Sequence, residues 1–174
     1  MPHRIDQHAF ESRLREHRGL IVKVASVYAG SLEDRHDLEQ EISVQLWRAF
    51  GSYDERRAKF STWLYRIALN VAISQARRRR DDGRLEPLEA RHLENVASDE
   101  RSEPDERLQV LYEFIGELDA LNRALILLYL EDRSYGEIAE ILGISETNVA
   151  TKINRIKQKL RGQMTAASTH LTRA

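Results

Sequence analysis

Residues 134–160 read SYGEIAEILGISETNVATKINRIKQKL, and this pattern predicts two short helices joined by a tight turn. Apolar residues occur at helical spacing in both halves of the stretch, and Gly143 interrupts them. Ser134 followed three residues later by Glu137 is the capping-box pattern that starts a helix, and Ser145 is placed to cap the second helix. The stretch is therefore predicted to form a helix-turn-helix.

The second helix of this pair has two chemically different faces. Val149, Ile153 and Ile156 share one face with Leu160, so the opposite face carries small polar groups and cations. Such groups contact base edges and phosphates when a helix enters the major groove of DNA. A helical hairpin with a solvated charged face is the alternative, but the two start signals and the glycine turn favour DNA binding. The polar face is predicted to hold Asn148, Thr151, Lys152, Arg155 and Lys159.

Composition places the chain among soluble globular proteins. It has 174 residues, of which 41% are apolar, and it lacks cysteine, which excludes disulfides and thiolate metal sites. No apolar run approaches membrane-spanning length and no signal-peptide pattern is present, so the cytoplasm is the expected compartment. Ten acidic residues and three arginines give residues 81–106 a net charge of −7, which leaves +6 for the rest of a chain whose total is −1. The chain is thus predicted to be basic, with an acidic insert.

Helical periodicity predicts an N-terminal domain over residues 1–80. Aromatic, amide and cationic side chains are interleaved in its last helix, which ends in four consecutive arginines at residues 77–80. Such interleaving suits single-stranded or distorted nucleic acid, because bases stack on aromatic rings while arginines hold phosphates. The predicted helices are Asp6–Ala29, Asp34–Phe50 and, after an N-cap at Ser61, Thr62–Arg80.

A second domain follows the acidic insert. Residues 81–106 lose the apolar period and contain two of the three prolines, which predicts a flexible linker. Residues 107–162 are predicted to form a C-terminal domain, in which apolar helices over Arg107–Leu118 and Asp119–Leu130 support the helix-turn-helix. Residues 163–174 are expected to be a frayed tail. The predicted fold class is all-α, with two small helical domains joined by a flexible acidic linker.

Three motifs in this order resemble those of the extracytoplasmic-function (ECF) group of bacterial RNA polymerase sigma factors. They are DLEQEISVQLWRAF at Asp37–Phe50, FSTWLYRIALNVA at Phe60–Ala72, and the helix-turn-helix stretch. The resemblance implies a factor that binds core RNA polymerase, directs promoter-specific initiation and helps to melt promoter DNA. It also implies an anti-sigma factor as a further partner.

The resemblance assigns residues to each surface. Contacts to the clamp helices of the largest polymerase subunit are assigned to Asp37, Leu38, Gln40 and Glu41. Downstream-element binding and melting are assigned to Tyr53, Asp54, Arg57, Phe60, Trp63, Asn70, Ser74 and Arg77. Upstream-element binding is assigned to Asn148, Ala150, Thr151, Lys152, Asn154, Arg155 and Lys157. The flap of the second-largest subunit is expected to meet the helix around Leu125, Leu128 and Tyr129.

Two other functions remain open from the residues alone. A helix-turn-helix regulator would bind a palindromic operator as a dimer, without polymerase. An enzyme acting on nucleic acid would need metal ligands, a nucleophile with its base, or a phosphate-binding glycine loop. The histidines show no metal-ligand spacing, and we expect neither catalysis, nor a cofactor, nor a metal; they are His3, His8, His17, His36, His92 and His170.

Overall fold

The computed structural model describes residues 6–83 and 106–172, and within these residues every regular element is a helix. The all-α fold class is confirmed. The chain divides into two compact units, Met1–Glu86 and Pro87–Ala174. Most of the predicted acidic linker, residues 84–105, lies outside the described residues.

Four helices form the described part of the first unit. Helices α2, α3 and α4 pack against one another, and α1 packs on α2. Fully buried apolar side chains such as Val24, Ile42 and Leu64 fill the space between them, and each contributes roughly 1.5–3 kcal/mol by leaving water. The helices are α1 (Gln7–Glu16), α2 (Arg18–Tyr28), α3 (Leu32–Phe50) and α4 (Phe60–Asp81).

The helix predicted over Asp6–Ala29 is two helices, because the backbone leaves the helical region at His17 (φ −107°, ψ 12°). The imidazole ring of His17 packs against Phe60 with a centroid distance of 4.9 Å, and its Nδ1 lies 2.9 Å from the Arg13 carbonyl oxygen. Gly19, a weak helix former, follows two residues later. Tertiary packing of one ring therefore interrupts an apolar period that continues on both sides.

Two predicted helix starts are displaced. Helix α3 begins at Leu32, two residues earlier than expected, because the Ser31 side chain accepts a hydrogen bond from the Asp34 amide. Ser61 is not the N-cap of α4, since that helix begins at Phe60, after Lys59, without a side-chain cap. Phe60 is only 5% exposed, so burial of its ring in the first turn sets the start of α4.

The second unit confirms the predicted helix-turn-helix. Ser134 and Glu137 form a reciprocal capping box, and Gly143 ends the first helix of the pair in the left-handed region at φ 67°. The Asn148 amide donates to the Ser145 hydroxyl oxygen at 3.1 Å, so Ser145 caps the next helix as predicted. The helices described in this unit are α5 (Glu106–Glu117), α6 (Ala120–Leu130), α7 (Tyr135–Leu142) and α8 (Glu146–Thr172).

The prediction that the tail from residue 163 onward frays is wrong as far as Thr172, where α8 ends. Helix α8 packs on α5, and the Gln163 side-chain amide donates to the Glu117 carboxylate at 3.1 Å across that contact. The Thr165 and Ser168 hydroxyls each donate to the carbonyl oxygen four residues back. Contact with another helix thus extends α8 through a polar segment that lacks a clear apolar period.

Candidate nucleic-acid interface

Helix α8 presents one polar face because its apolar face is buried. Val149 and Ile153 are fully buried and Ile156 is 3% exposed, as the spacing predicts. The Thr151 hydroxyl donates to the Thr147 carbonyl oxygen at 3.0 Å, while the end of its side chain stays at the surface. The exposed candidates for upstream-element binding are Asn148, Thr151, Asn154 and Arg155, and Ala150 and Lys152 are half-buried.

Lys157 differs from these residues in its surroundings. It is half-buried, and its Nζ lies 4.9 Å from the centroid of the Tyr129 ring, a cation–π geometry that ties α8 to α6. Leu125 and Leu128, which the resemblance places near the polymerase flap, are fully buried and cannot form that surface. The accessible side chains at this end of α6 are Tyr129 and Leu130, the latter 50% exposed.

A cluster of aromatic rings lies between the loop of residues 51–59 and helix α4. The Tyr53 ring is 5.0 Å from the Trp63 ring and 5.4 Å from the Phe60 ring, centroid to centroid, and Phe50 stacks on Tyr53 at 6.2 Å. Tyr53 and Trp63 are half-buried, so part of each side chain lies at the surface. Phe60 was expected to contact a base, but its ring is buried beneath the other two and supports them instead.

The loop of residues 51–59 is closed by its own hydrogen bonds. The Tyr53 hydroxyl donates to the Ala58 carbonyl oxygen at 3.2 Å. The Asp54 carboxylate accepts from the Arg56 amide at 3.0 Å and from the Arg56 Nε at 3.2 Å, and it lies 3.8 Å from the Arg57 Nε. The hydrogen bond from the Arg56 side chain, followed by that from its backbone amide, lowers the pKa of Asp54. Asp54 is therefore a turn-forming carboxylate, whereas the Arg57 side chain is exposed.

Helix α4 carries an exposed polar stripe that begins near this aromatic cluster. Asn70, Ser74 and Arg77 are exposed and recur at intervals of three or four residues, as expected for one helical face. Arg66 is exposed four residues before Asn70 and belongs to the same stripe, although the resemblance assigns it no role. The interleaved aromatic, amide and cationic pattern of this helix includes it. We call Arg66, Asn70, Ser74 and Arg77 the α4 stripe.

The acidic face of α3 is confirmed as surface at three of its four predicted positions, namely Asp37, Gln40 and Glu41, which are all exposed. Leu38 is only 2% exposed and belongs to the core, because it shares the apolar period of α3 rather than its polar face. Val44, which is 40% exposed, lies one turn beyond Gln40 and Glu41 on the polar face. Val44 is an apolar residue at a position where the pattern of α3 predicts a polar one, and this departure is the sequence signal for an apolar contact on that face.

Neither metal sites nor membrane-spanning helices are found within residues 6–83 and 106–172. No three histidine or carboxylate side chains of this part of the chain are grouped as metal ligands would be. No helix described there combines the length and apolar character needed to cross a membrane.

One helical unit with an aromatic cluster and a polar stripe, and another with a helix-turn-helix, define an all-α DNA-binding protein. Two family models match these units. The model for Sigma-70 region 2 matches residues 14–81, and that for Sigma-70, region 4 matches residues 108–160.

Whole-chain comparisons give the same result. The ECF RNA polymerase sigma-E factor of Escherichia coli (strain K12) is 31% identical over 167 residues, covering 89% of this chain and 86% of that protein. The ECF RNA polymerase sigma factor SigW of Bacillus subtilis (strain 168) is 29% identical over 171 residues, covering 91% and 90%. The solved structure of CnrH in complex with the cytosolic domain of CnrY superposes with a TM-score of 0.66 at 26% identity, covering 93% and 91%.

The chain belongs to the ECF family of RNA polymerase sigma factors. Its function is to direct RNA polymerase in the initiation of transcription, and a dimeric regulator that acts without polymerase is not favoured.

Proposed function

We propose that the two units divide promoter recognition between them. The domain of residues 1–80 binds core polymerase and opens the downstream element, and the domain of residues 107–162 reads the upstream element. The observation that carries this proposal is the α4 stripe, which runs from the half-exposed rings of Tyr53 and Trp63 to Arg77. A dimeric regulator would have no use for such a surface far along the chain from its helix-turn-helix.

The upstream element is read by helix α8. Asn148, Thr151 and Arg155 supply amide, hydroxyl and guanidinium groups on one exposed face, and each good contact to a base edge adds roughly 1–3 kcal/mol of discrimination. Asn154 extends this face, and Ala150 leaves room for a thymine methyl group or a neighbouring side chain. Lys152 binds a backbone phosphate, and Lys157 does so from its position beside Tyr129.

The downstream element is opened at the aromatic end of α4. Unstacking a base costs a few kcal/mol, and stacking on an aromatic side chain returns roughly 1–3 kcal/mol per base. Tyr53 and Trp63 provide partly exposed rings, Asp54 shapes the loop beside them, and Arg57 lies exposed at its edge. The α4 stripe then follows the single strand, with Asn70 and Ser74 near bases and Arg77 at a phosphate.

Core polymerase is bound by the polar face of α3 and by the end of α6. Asp37, Gln40 and Glu41 present acidic and amide groups around Val44, which suits a basic helical partner with an apolar spot. This partner is the clamp helices of the largest subunit. Tyr129 and Leu130 are the side chains available to the flap of the second-largest subunit.

CnrH, which this chain resembles, was solved in complex with the cytosolic domain of CnrY, so a similar protein binds a protein partner. An anti-sigma factor is accordingly proposed to hold this chain away from polymerase until it is needed. The chain acts in the cytoplasm, catalyses no reaction itself and uses no cofactor or metal.

A promoter with a preformed bubble tests whether the first domain opens the downstream element while the second reads the upstream element. The template is a promoter mapped with this protein and its core polymerase, prepared as full duplex and with mismatched bases across the downstream element. Asn70→Ala should lose initiation on the duplex and recover it on the bubble, whereas Arg155→Ala should lose initiation on both. Recovery of both variants, or of neither, would contradict the proposed division.

A further inference from the structure

Helix α1 places one arginine against the loop of residues 51–59 from outside it. The Arg13 Nη2 lies 3.0 Å from the Glu55 Oε2. The Arg13 Cζ also lies 5.5 Å from the centroid of the Tyr53 ring and 5.6 Å from that of the Phe60 ring. A single guanidinium therefore contacts a carboxylate within the loop and the aromatic rings near each of its ends.

This combination of contacts needs the shape of an arginine side chain. A guanidinium is planar, so it can lie near ring faces while its edge donates to a carboxylate, whereas a lysine ammonium offers a single point of charge. The Arg13 side chain is 38% exposed, and the two rings shield one side of it from solvent. The ion pair alone would contribute little, because the Glu55 side chain is 72% exposed. The ring contacts add to the stabilisation that the ion pair gives, and they orient the guanidinium toward Glu55.

The charge of Glu55 makes the ion pair relevant to DNA. Glu55 follows Asp54, whose carboxylate is already occupied by Arg56 and Arg57. An unpaired carboxylate at Glu55 would repel the phosphates of a strand that reaches the Tyr53 ring. Arg13 neutralises that charge and holds the loop against the aromatic cluster with the same side chain.

We propose that Arg13 is a positioning residue for promoter melting. It fixes the loop of residues 51–59 so that an unstacked base meets Tyr53 and Trp63 already in place. This inference rests on the proposed role of that loop in melting. Removing the guanidinium slows open-complex formation by about three- to tenfold, the size expected for a partly exposed cation–π contact together with a weak ion pair. It leaves core-polymerase binding and upstream-element recognition unchanged.

The test uses holoenzyme made from full-length variants and the core polymerase, on a mapped promoter duplex. The variants are Arg13→Leu, Arg13→Lys, Glu55→Gln and Tyr53→Ala, and the matched control is Arg15→Leu, an exposed arginine on the same helix. Permanganate reactivity of unpaired thymines gives the rate of melting. Hydrogen exchange of the amides of residues 53–58 reports loop order, and the thermal midpoint reports the fold.

Arg13→Leu is expected to slow melting and to speed loop exchange without lowering the thermal midpoint more than Arg15→Leu does. Glu55→Gln should give a smaller effect in the same direction, because it loses the ion pair that orders the loop but also removes the carboxylate that would repel phosphates. Arg13→Lys should restore only part of the rate. If Arg13→Leu melts the promoter at the wild-type rate while Tyr53→Ala melts it slowly, the positioning role of Arg13 is overturned and the role of the loop is not. Wild-type melting by both would overturn the proposed role of the loop as well. If Arg13→Leu fails to fold, the other two variants decide. The inference would be overturned if Glu55→Gln leaves both loop exchange and melting unchanged and Arg13→Lys melts the promoter at the full rate.

Discussion

The Arg79 Nη2 donates a hydrogen bond to the Asp34 Oδ1 at 2.9 Å, and this contact joins the last turn of α4 to the first turn of α3. One member of the four-arginine run is therefore committed to the fold. Arg77, Arg78 and Arg80 remain exposed and available to nucleic acid. The pair also links the helix that carries the acidic face to the helix that carries the α4 stripe.

Breaking this ion pair should weaken the first unit modestly. Arg79→Ala is expected to lower the free energy of unfolding by about 0.5–1 kcal/mol, because both side chains are partly exposed and solvent screens the pair. Urea unfolding of Arg79→Ala, Asp34→Ala and the double variant measures the coupling between them. Arg78→Ala, at an exposed position, is the control and should change stability less. Equal effects of Arg78→Ala and Arg79→Ala would show that the pair does not matter to stability.

The turn of the helix-turn-helix depends on Gly143. Its φ of 67° suits glycine, whereas a side chain there is strained even though a Cβ would meet no atom within 4 Å. Gly143→Ala is expected to lower the free energy of unfolding by about 1–2 kcal/mol. Gly136→Ala is the matched control in the same helix, because its Cβ would make ordinary contacts and alanine favours helix. Calorimetry should show a fall in melting temperature for the first variant and none for the second.

Asp132 is a non-glycine residue with φ 56°, in the turn after α6. Left-handed backbone costs a residue with a Cβ roughly 1–2 kcal/mol, and part of this is recovered if the Cβ is removed. Asp132→Gly is therefore expected to raise the free energy of unfolding by about 0.5–1 kcal/mol, while Asp132→Ala lowers it or leaves it unchanged. Chemical denaturation of both variants measures the difference. A glycine variant no more stable than the wild type would show that the turn is not strained at this residue.

The order of the loop of residues 51–59 should depend on acid through Asp54. The pKa of this carboxyl is lowered in the folded chain by its hydrogen bonds from Arg56. The carboxylate of Asp54 therefore contributes to stability above the pKa that it has in the unfolded chain. This contribution is lost as the pH falls through its lower pKa in the folded chain. NMR titration should place the Asp54 pKa below its usual range, and Asp54→Asn should remove the corresponding acid-induced change at the Arg56 amide. A pKa at or above the usual range would contradict this description of the turn.

Local chemistry explains why the helix-turn-helix could be predicted closely. Each serine cap pairs with an amide only three residues further on, and the glycine turn is equally local, so the sequence alone contains the whole signal. The break at His17 could not be predicted, because it depends on a ring of Phe60 that is distant in sequence. The extended part of α8 likewise packs on α5, a helix distant in sequence, and the Gln163–Glu117 hydrogen bond is one of the contacts between them.

The exposure of the candidate residues could be predicted best where side-chain spacing decides it. The polar face of α8 and the three polar positions of α3 lie at the surface as their periods require. Leu38 and Phe60, which the resemblance assigns to surfaces, lie in the core because both are large apolar side chains at buried positions. Arg13 was missed because its role arises only when α1 and the loop are brought together.

Promoter selection for RNA polymerase by this chain can be tested directly. Purified core polymerase from the source organism should be run on fragmented genomic DNA with and without the protein, and transcript starts should be sequenced. We expect new starts that share two upstream motifs at constant spacing. Absence of new starts, combined with binding of the protein alone to palindromic duplex, would contradict promoter selection and favour a dimeric regulator.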